Sequence, residues 1–113
     1  MTKGFHAYDA ALSMVAALRP VLAQLAKGDR ALADQVRRAA SSVVLNLAEG
    51  NRRTGQDRVQ FFKIAAGSAA EVRAALAVAR AWGHIEAASV AEAEGELDRV
   101  LAMLWRLTHW PRR

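Results

Sequence analysis

Asn46 and Glu49 lie three residues apart inside the most apolar stretch of the chain, SSVVLNLAEG from Ser41 to Gly50, and Arg52 and Arg53 follow at once. An amide and a carboxylate that are buried without partners cost several kcal/mol, so each must sit at an exposed helix end or be paired. At this spacing they project on neighbouring faces of one helix. Glu49 is placed to take an arginine, or backbone donors at the start of the next helix. The two read as a structural polar pair at a helix corner.

Other residues that could do chemistry are scattered. Glu49 and Glu71 fall on adjacent helical segments and could approach as a carboxylate pair, but bundle metal sites add histidines at fixed spacing. Here His6, His84 and His109 fall in different segments, with no His-Glu-x-x-His or Glu-x-x-His pattern. The carboxylates therefore read as salt-bridge partners, and neither a metal nor a cofactor is expected. Ser41 and Ser42 lack a nearby base and a nucleophile-elbow glycine pattern, so they read as packing serines. No enzymatic activity is expected. Trp105, His109 and Trp110 form an aromatic end that could stack on bases, plug the core or make an oligomer contact.

The net charge of +5 is unevenly placed. Between Arg37 and Arg80 eight basic residues stand against three acidic ones, which accounts for the whole excess. Arg37, Arg38, Arg52, Arg53, Arg58 and Lys63 are the candidate contacts for a polyanion, RNA or DNA, if the charge is more than a solvated helix face. Cysteine is absent, which excludes disulfides and thiolate metal sites and leaves cytoplasm as the expected compartment. The N-terminus lacks a signal-peptide layout and no segment approaches about 18 uninterrupted apolar residues, so no membrane association is expected.

These side chains must be positioned by helices. Apolar residues recur at helical spacing and no alternating β-branched run occurs, so the chain reads as all-α: one domain over residues 1–113, an antiparallel up-down-up-down four-helix bundle. The expected helices cover about 6–27, 30–49, 55–82 and 90–109. Inward stripes are Tyr8, Leu12, Val15, Leu18, Leu22 and Leu25; then Leu32, Val36, Ala39, Val43 and Leu47; then Val59, Phe62, Ala65, Ala69, Val72, Leu76 and Ala79; then Leu97, Val100, Leu101, Leu104 and Leu107. Pro20 should bend the first helix without ending it. Gly28 should end it in a left-handed cap, Gly50 should stop the second and Gly83 should follow the third. Thr54 with Asp57, and Ser89 with Glu92, have capping-box spacing. Gly67 and Ser68 in the third helix are small enough for another helix to approach closely.

Val43, Val44, Leu45, Leu47 and Ala48 point in almost every direction, so this part of the second helix is apolar all round. Either the other three helices wrap it, or another copy of the chain covers its outer side. Every helix of a four-helix bundle has an outer side, which favours the second explanation.

QVRRAASSVVLNLAEGNRR, continued by FFKIAAGSAAEVRAALAVARAWGHI, resembles the signature of the four-helix bundle proteins encoded in intervening sequences of bacterial 23S rRNA genes, sometimes labelled S23 ribosomal proteins. The resemblance falls on Arg38, Ser41 or Ser42, Asn46, Ala48, Glu49, Gly50, Phe61 or Phe62, Gly67, Ser68, Glu71, Leu76 and Gly83. It implies a homopentamer with a central channel. The chain is also similar to accessory proteins of diversity-generating retroelements, which implies a nucleic-acid partner met through basic surfaces. Two functions follow as expectations: a non-enzymatic homo-oligomer that binds nucleic acid non-specifically, or a scaffold for a partner protein with no direct nucleic-acid binding.

Overall fold

The computed structural model describes residues 3–109. It forms four helices, α1 (Lys3–Gly28), α2 (Arg30–Asn51), α3 (Gly55–Ala81) and α4 (Ala87–Thr108), with no strand among the described residues. Cross-helix contacts fix their directions. Asn51 donates to the Gly4 carbonyl at 3.1 Å, Ser42 and Ser68 share a hydroxyl hydrogen bond of 2.8 Å, and Arg73 and Arg80 reach Asp98 and Glu94 at 3.1 and 3.4 Å. Each helix is therefore antiparallel to the one before it. The α1 helix also packs along α4 and closes the bundle, which measures 48 × 22 × 20 Å.

The core consists of small and medium apolar side chains, with Met14 and Phe62 among its largest. No polar or charged side chain is buried among the described residues. The inward stripe of α1 is rotated from the expected one. Ala7, Ala10, Ala11, Met14, Leu18, Val21 and Leu25 face the core, while Tyr8, Val15 and Leu22 are half-buried and Leu12 is exposed. The three alanines let α1 lie close to its neighbours, which moves the bulkier residues to the flank. Leu32, Val59, Leu101 and Leu107 likewise sit at the core edge. Residues 4–28 form a helix long and apolar enough to cross a membrane by length and composition, although charged residues interrupt its apolar run; alanine raises the average, and the apolar stripe here is bundle core.

Several helix ends differ from the sequence expectation. Gly28 is not left-handed; α1 runs through Pro20 to Gly28, and Asp29 alone makes the corner by accepting the Leu32 amide at 2.9 Å as the N-cap of α2. The feature of Gly28 is proximity: the His84 imidazole lies against it, where a Cβ would make the ring shift. Gly50 does not stop α2, which continues to Asn51. Thr54 precedes α3 in extended conformation but makes no side-chain cap bond, and Asp57, the other half of the expected capping box, pairs with Arg53. The α4 helix begins at Ala87, ahead of Ser89, so no capping box forms there. Gly55 and Gly83 are the two left-handed glycines, at φ +62° and +80°.

Two helical glycines, Gly50 in the last turn of α2 and Gly67 in the middle of α3, have opposite surroundings. A Cβ on Gly50 would lie 2.6 Å from the Phe62 ring and 3.3 Å from the Phe61 Cβ, whereas one on Gly67 would meet nothing within 4 Å. Within the subunit, then, Gly50 permits the close approach of α3 that was expected at Gly67. Gly50→Ala should lower stability by about 1–3 kcal/mol through overpacking. Gly67→Ala should raise it by about 0.5–1 kcal/mol by removing the helical cost of glycine. Urea titration of both variants measures the signs.

Candidate functional site

The α2–α3 corner gathers much of the polar chemistry noted in the sequence. Gly50 is buried under Phe62, which brings the first turn of α3 against the last turn of α2. Glu49 stands on the outer side of that junction and accepts from Arg53 at 2.8 Å and Arg52 at 3.5 Å. Arg53 also reaches Asp57 at 2.9 Å and lies over the Phe61 ring at 5.2 Å. Hydrogen bonds to Glu49 first, and then to Asp57, raise the Arg53 pKa above its ordinary value. Its charge is permanent, and two carboxylates already face it.

Arg58 is engaged differently. It is half-buried, donates to the Gly50 carbonyl at 3.2 Å and lies over the Phe62 ring at 4.8 Å. That carbonyl, in the last turn of α2, already accepts the Arg53 backbone amide at 3.1 Å, and the guanidinium adds a second, charged donor from the next helix.

Asn46 does not pair with Glu49. Its amide donates to the Ser42 carbonyl at 2.9 Å and the Ser42 hydroxyl at 3.0 Å, and that hydroxyl meets Ser68 on α3. A polar ladder thus joins the two helices one to two turns from the corner. Ser42 and Ser68 serve packing as hydrogen-bonded partners, while Gly67 beside them is open. Glu71 is exposed and makes no ion pair among the described residues. The Ser42–Ser68 register sets it about 15 Å along the bundle from Glu49. The two carboxylates are therefore apart, and no three His, Asp or Glu residues among those described are grouped to hold a metal.

Three of the basic residues singled out in the sequence remain uncommitted. Arg37, Arg38 and Lys63 are exposed and make no ion pair among the described residues. Arg37, Arg38 and Arg52 extend over about 22 Å of α2, whereas Lys63 stands on the side of α3 away from Ser68, the residue that meets α2. Arg38, Leu45 and Arg52 recur at seven-residue spacing on the outward stripe of α2.

Apolar surface on this side is the feature least legible from sequence. Leu45 is 67% exposed, Leu12 44% and Ile64 43%. The Gly4–Asn51 and Ser42–Ser68 contacts place all three at one level of the bundle, so they form a belt across α1, α2 and α3. Beside it a cavity of about 200 Å³ is lined by Phe5, Tyr8, Ala48, Asn51 and Arg52. Leu45 was visible in the all-round apolar pattern of α2. Leu12 and Ile64 were hidden because their helical phase depends on which stripe the neighbours bury.

A family model described as 23S rRNA-intervening sequence protein matches residues 3–106, nearly the whole chain. No curated protein and no solved structure matches it significantly.

The corner makes a separable prediction. Arg58→Ala removes a charged hydrogen bond and a cation–π contact and should cost about 2 kcal/mol. Arg52→Ala loses only an exposed pair and should cost at most about 0.5 kcal/mol. Chemical denaturation of the two variants side by side tests this ordering.

Proposed function

The chain belongs to the 23S rRNA-intervening sequence protein family, and from that premise we propose that it is a non-enzymatic homo-oligomer, pentameric as the resemblance implies, that binds nucleic acid without strong sequence preference. One observation carries the reading: the outward stripe of α2 presents an uncovered leucine, Leu45, between arginines, of which Arg38 has no carboxylate partner among the described residues. Covering Leu45 and its belt neighbours removes apolar surface from water, at about 1.5–3 kcal/mol per fully buried side chain. Arg38 is about 10 Å from Leu45 along the helix, which leaves it at the rim of such a contact.

Symmetry then repeats Arg37, Arg38 and Lys63 around the assembly. Cations without carboxylate partners can release the counterions of a phosphate backbone, whereas Arg53 would first have to leave Glu49 and Asp57. Arg58, holding the Gly50 carbonyl, contributes to the corner and to the local field. The interaction is positional and electrostatic.

A second reading, a scaffold for a partner protein, is favoured by Trp82, which is 71% exposed at the end of α3 and away from the belt. Co-purification with and without nuclease separates the two, since a protein complex that survives nuclease supports the scaffold.

Light scattering should give a multiple of the chain mass, and Leu45→Glu should reduce it to that of one chain. A wild-type mass equal to one subunit overturns the assembly. Fluorescence anisotropy with RNA and duplex DNA should show affinity falling steeply as salt rises, and Arg37→Ala with Arg38→Ala should flatten the log–log slope by roughly 1–2. No salt-dependent affinity in the micromolar range overturns the nucleic-acid role.

A further inference from the structure

The stripe of α4 that faces α3 contains Glu94, Asp98, Leu101 and Trp105. Its counterpart on α3 contains Arg80, Arg73 and Ala66. Two levels of this seam are closed by ion pairs, Arg80 with Glu94 and Arg73 with Asp98. Counted from the Arg73–Asp98 pair, one step of seven residues along each antiparallel helix brings Trp105 to the level of Ala66. Alanine is too small to cover an indole, and Trp105 is 59% exposed. It is no core plug.

Its ring is stacked in parallel on the imidazole of His109, with centroids 4.4 Å apart and planes 7° from parallel. The imidazole is held in place by its own hydrogen bonds. Nδ1 lies 3.0 Å from the Trp105 carbonyl and 3.0 Å from the Thr108 hydroxyl, which also donates to the Leu104 carbonyl at 2.9 Å. With Nδ1 directed at the carbonyl, Nε2 is the ring nitrogen left to face outward. The same register places Lys63, exposed and without an ion pair among the described residues, at the level of His109, adjacent to the Ala66 stripe.

From this arrangement we infer a binding site for unpaired nucleotides at the α3–α4 seam: a base stacks on the Trp105–His109 pair and its phosphate is met by Lys63. The inference rests on the nucleic-acid reading above and adds a ligand form and a location to it. A pre-stacked aromatic plane suits a flat π ligand, and base–aromatic stacking is available only where bases are unpaired. The surroundings also distinguish this site from a subunit contact. The apolar belt of Leu12, Leu45 and Ile64 lies on the α1–α2–α3 side, whereas the Trp105 seam continues into two ion pairs and a lysine, a polar setting that an apolar interface would have to desolvate.

The test is fluorescence anisotropy of the full chain with a labelled oligouridylate of about 15 nucleotides and a duplex of the same length, using wild type, Trp105→Ala, Trp105→Phe and Arg38→Ala. Trp105→Ala should weaken single-strand binding about tenfold, leave duplex affinity within about twofold, and be largely rescued by Trp105→Phe. Single-strand binding should also quench tryptophan emission in wild type and less so in Trp105→Phe. If Trp105→Ala leaves single-strand affinity intact while Arg38→Ala lowers it, the site is overturned and the broader nucleic-acid reading stands. Equal losses for single strand and duplex overturn base stacking. A fall in mass by light scattering on Trp105→Ala overturns the site in favour of a subunit contact. If neither nucleic acid binds, both readings fail.

Discussion

The contact between Phe62 and Gly50 sets the relation of α2 to α3. A phenyl ring can lie against a helix backbone this closely only where no Cβ intervenes, and a Cβ at position 50 would come within 2.6 Å of it. With the ring seated there, Arg58 reaches back to the Gly50 carbonyl and Arg53 comes between Glu49 and Asp57. Farther along the pair, the Ser42–Ser68 hydrogen bond keeps the same register. The corner thus combines steric access, a charged hydrogen bond to the backbone and ion pairing around one missing methyl group.

That geometry sorts the basic residues. The same Arg-rich segment contains guanidiniums of three kinds: Arg58, engaged in the fold; Arg53, neutralised by two carboxylates; and Arg37 and Arg38, facing solvent without acidic partners among the described residues. Formal charge counts them equally. A polyanion does not, because displacing an existing ion pair returns little net energy while an uncommitted cation gives up only hydration and counterions. The apolar belt centred on Leu45 lies close to the uncommitted arginines, so assembly and ligand binding, as proposed, share one face of α2 without using the same atoms.

Much of the fold was legible in the sequence. Four amphipathic segments with an alanine-rich composition admit few packings other than an antiparallel bundle, and Gly83 marked its turn correctly. The misread positions were those where a distant side chain decides. Gly28 and Gly50 looked like helix terminators, yet their surroundings are His84 and Phe62. Thr54 and Asp57 had the spacing of a capping box, but the Asp57 carboxylate, which would have accepted from the Thr54 backbone amide, accepts from the charged Arg53 guanidinium instead. The stripe of α1 was turned because hydrophobicity favours leucine and tyrosine inward, whereas close helix packing favoured Ala7, Ala10 and Ala11.

The linear order of residues by itself determined the helical class, the number of helices, the family pattern and the segment that carries the charge excess. Each of these follows from local periodicity and composition. Only the tertiary structure decided which cations are free, which carboxylates stand apart and which apolar residues lack cover. Those outcomes depend on distances between helices of a few ångströms, set where Phe62 meets Gly50, where Asp29 turns the chain and where Arg73 and Arg80 reach α4.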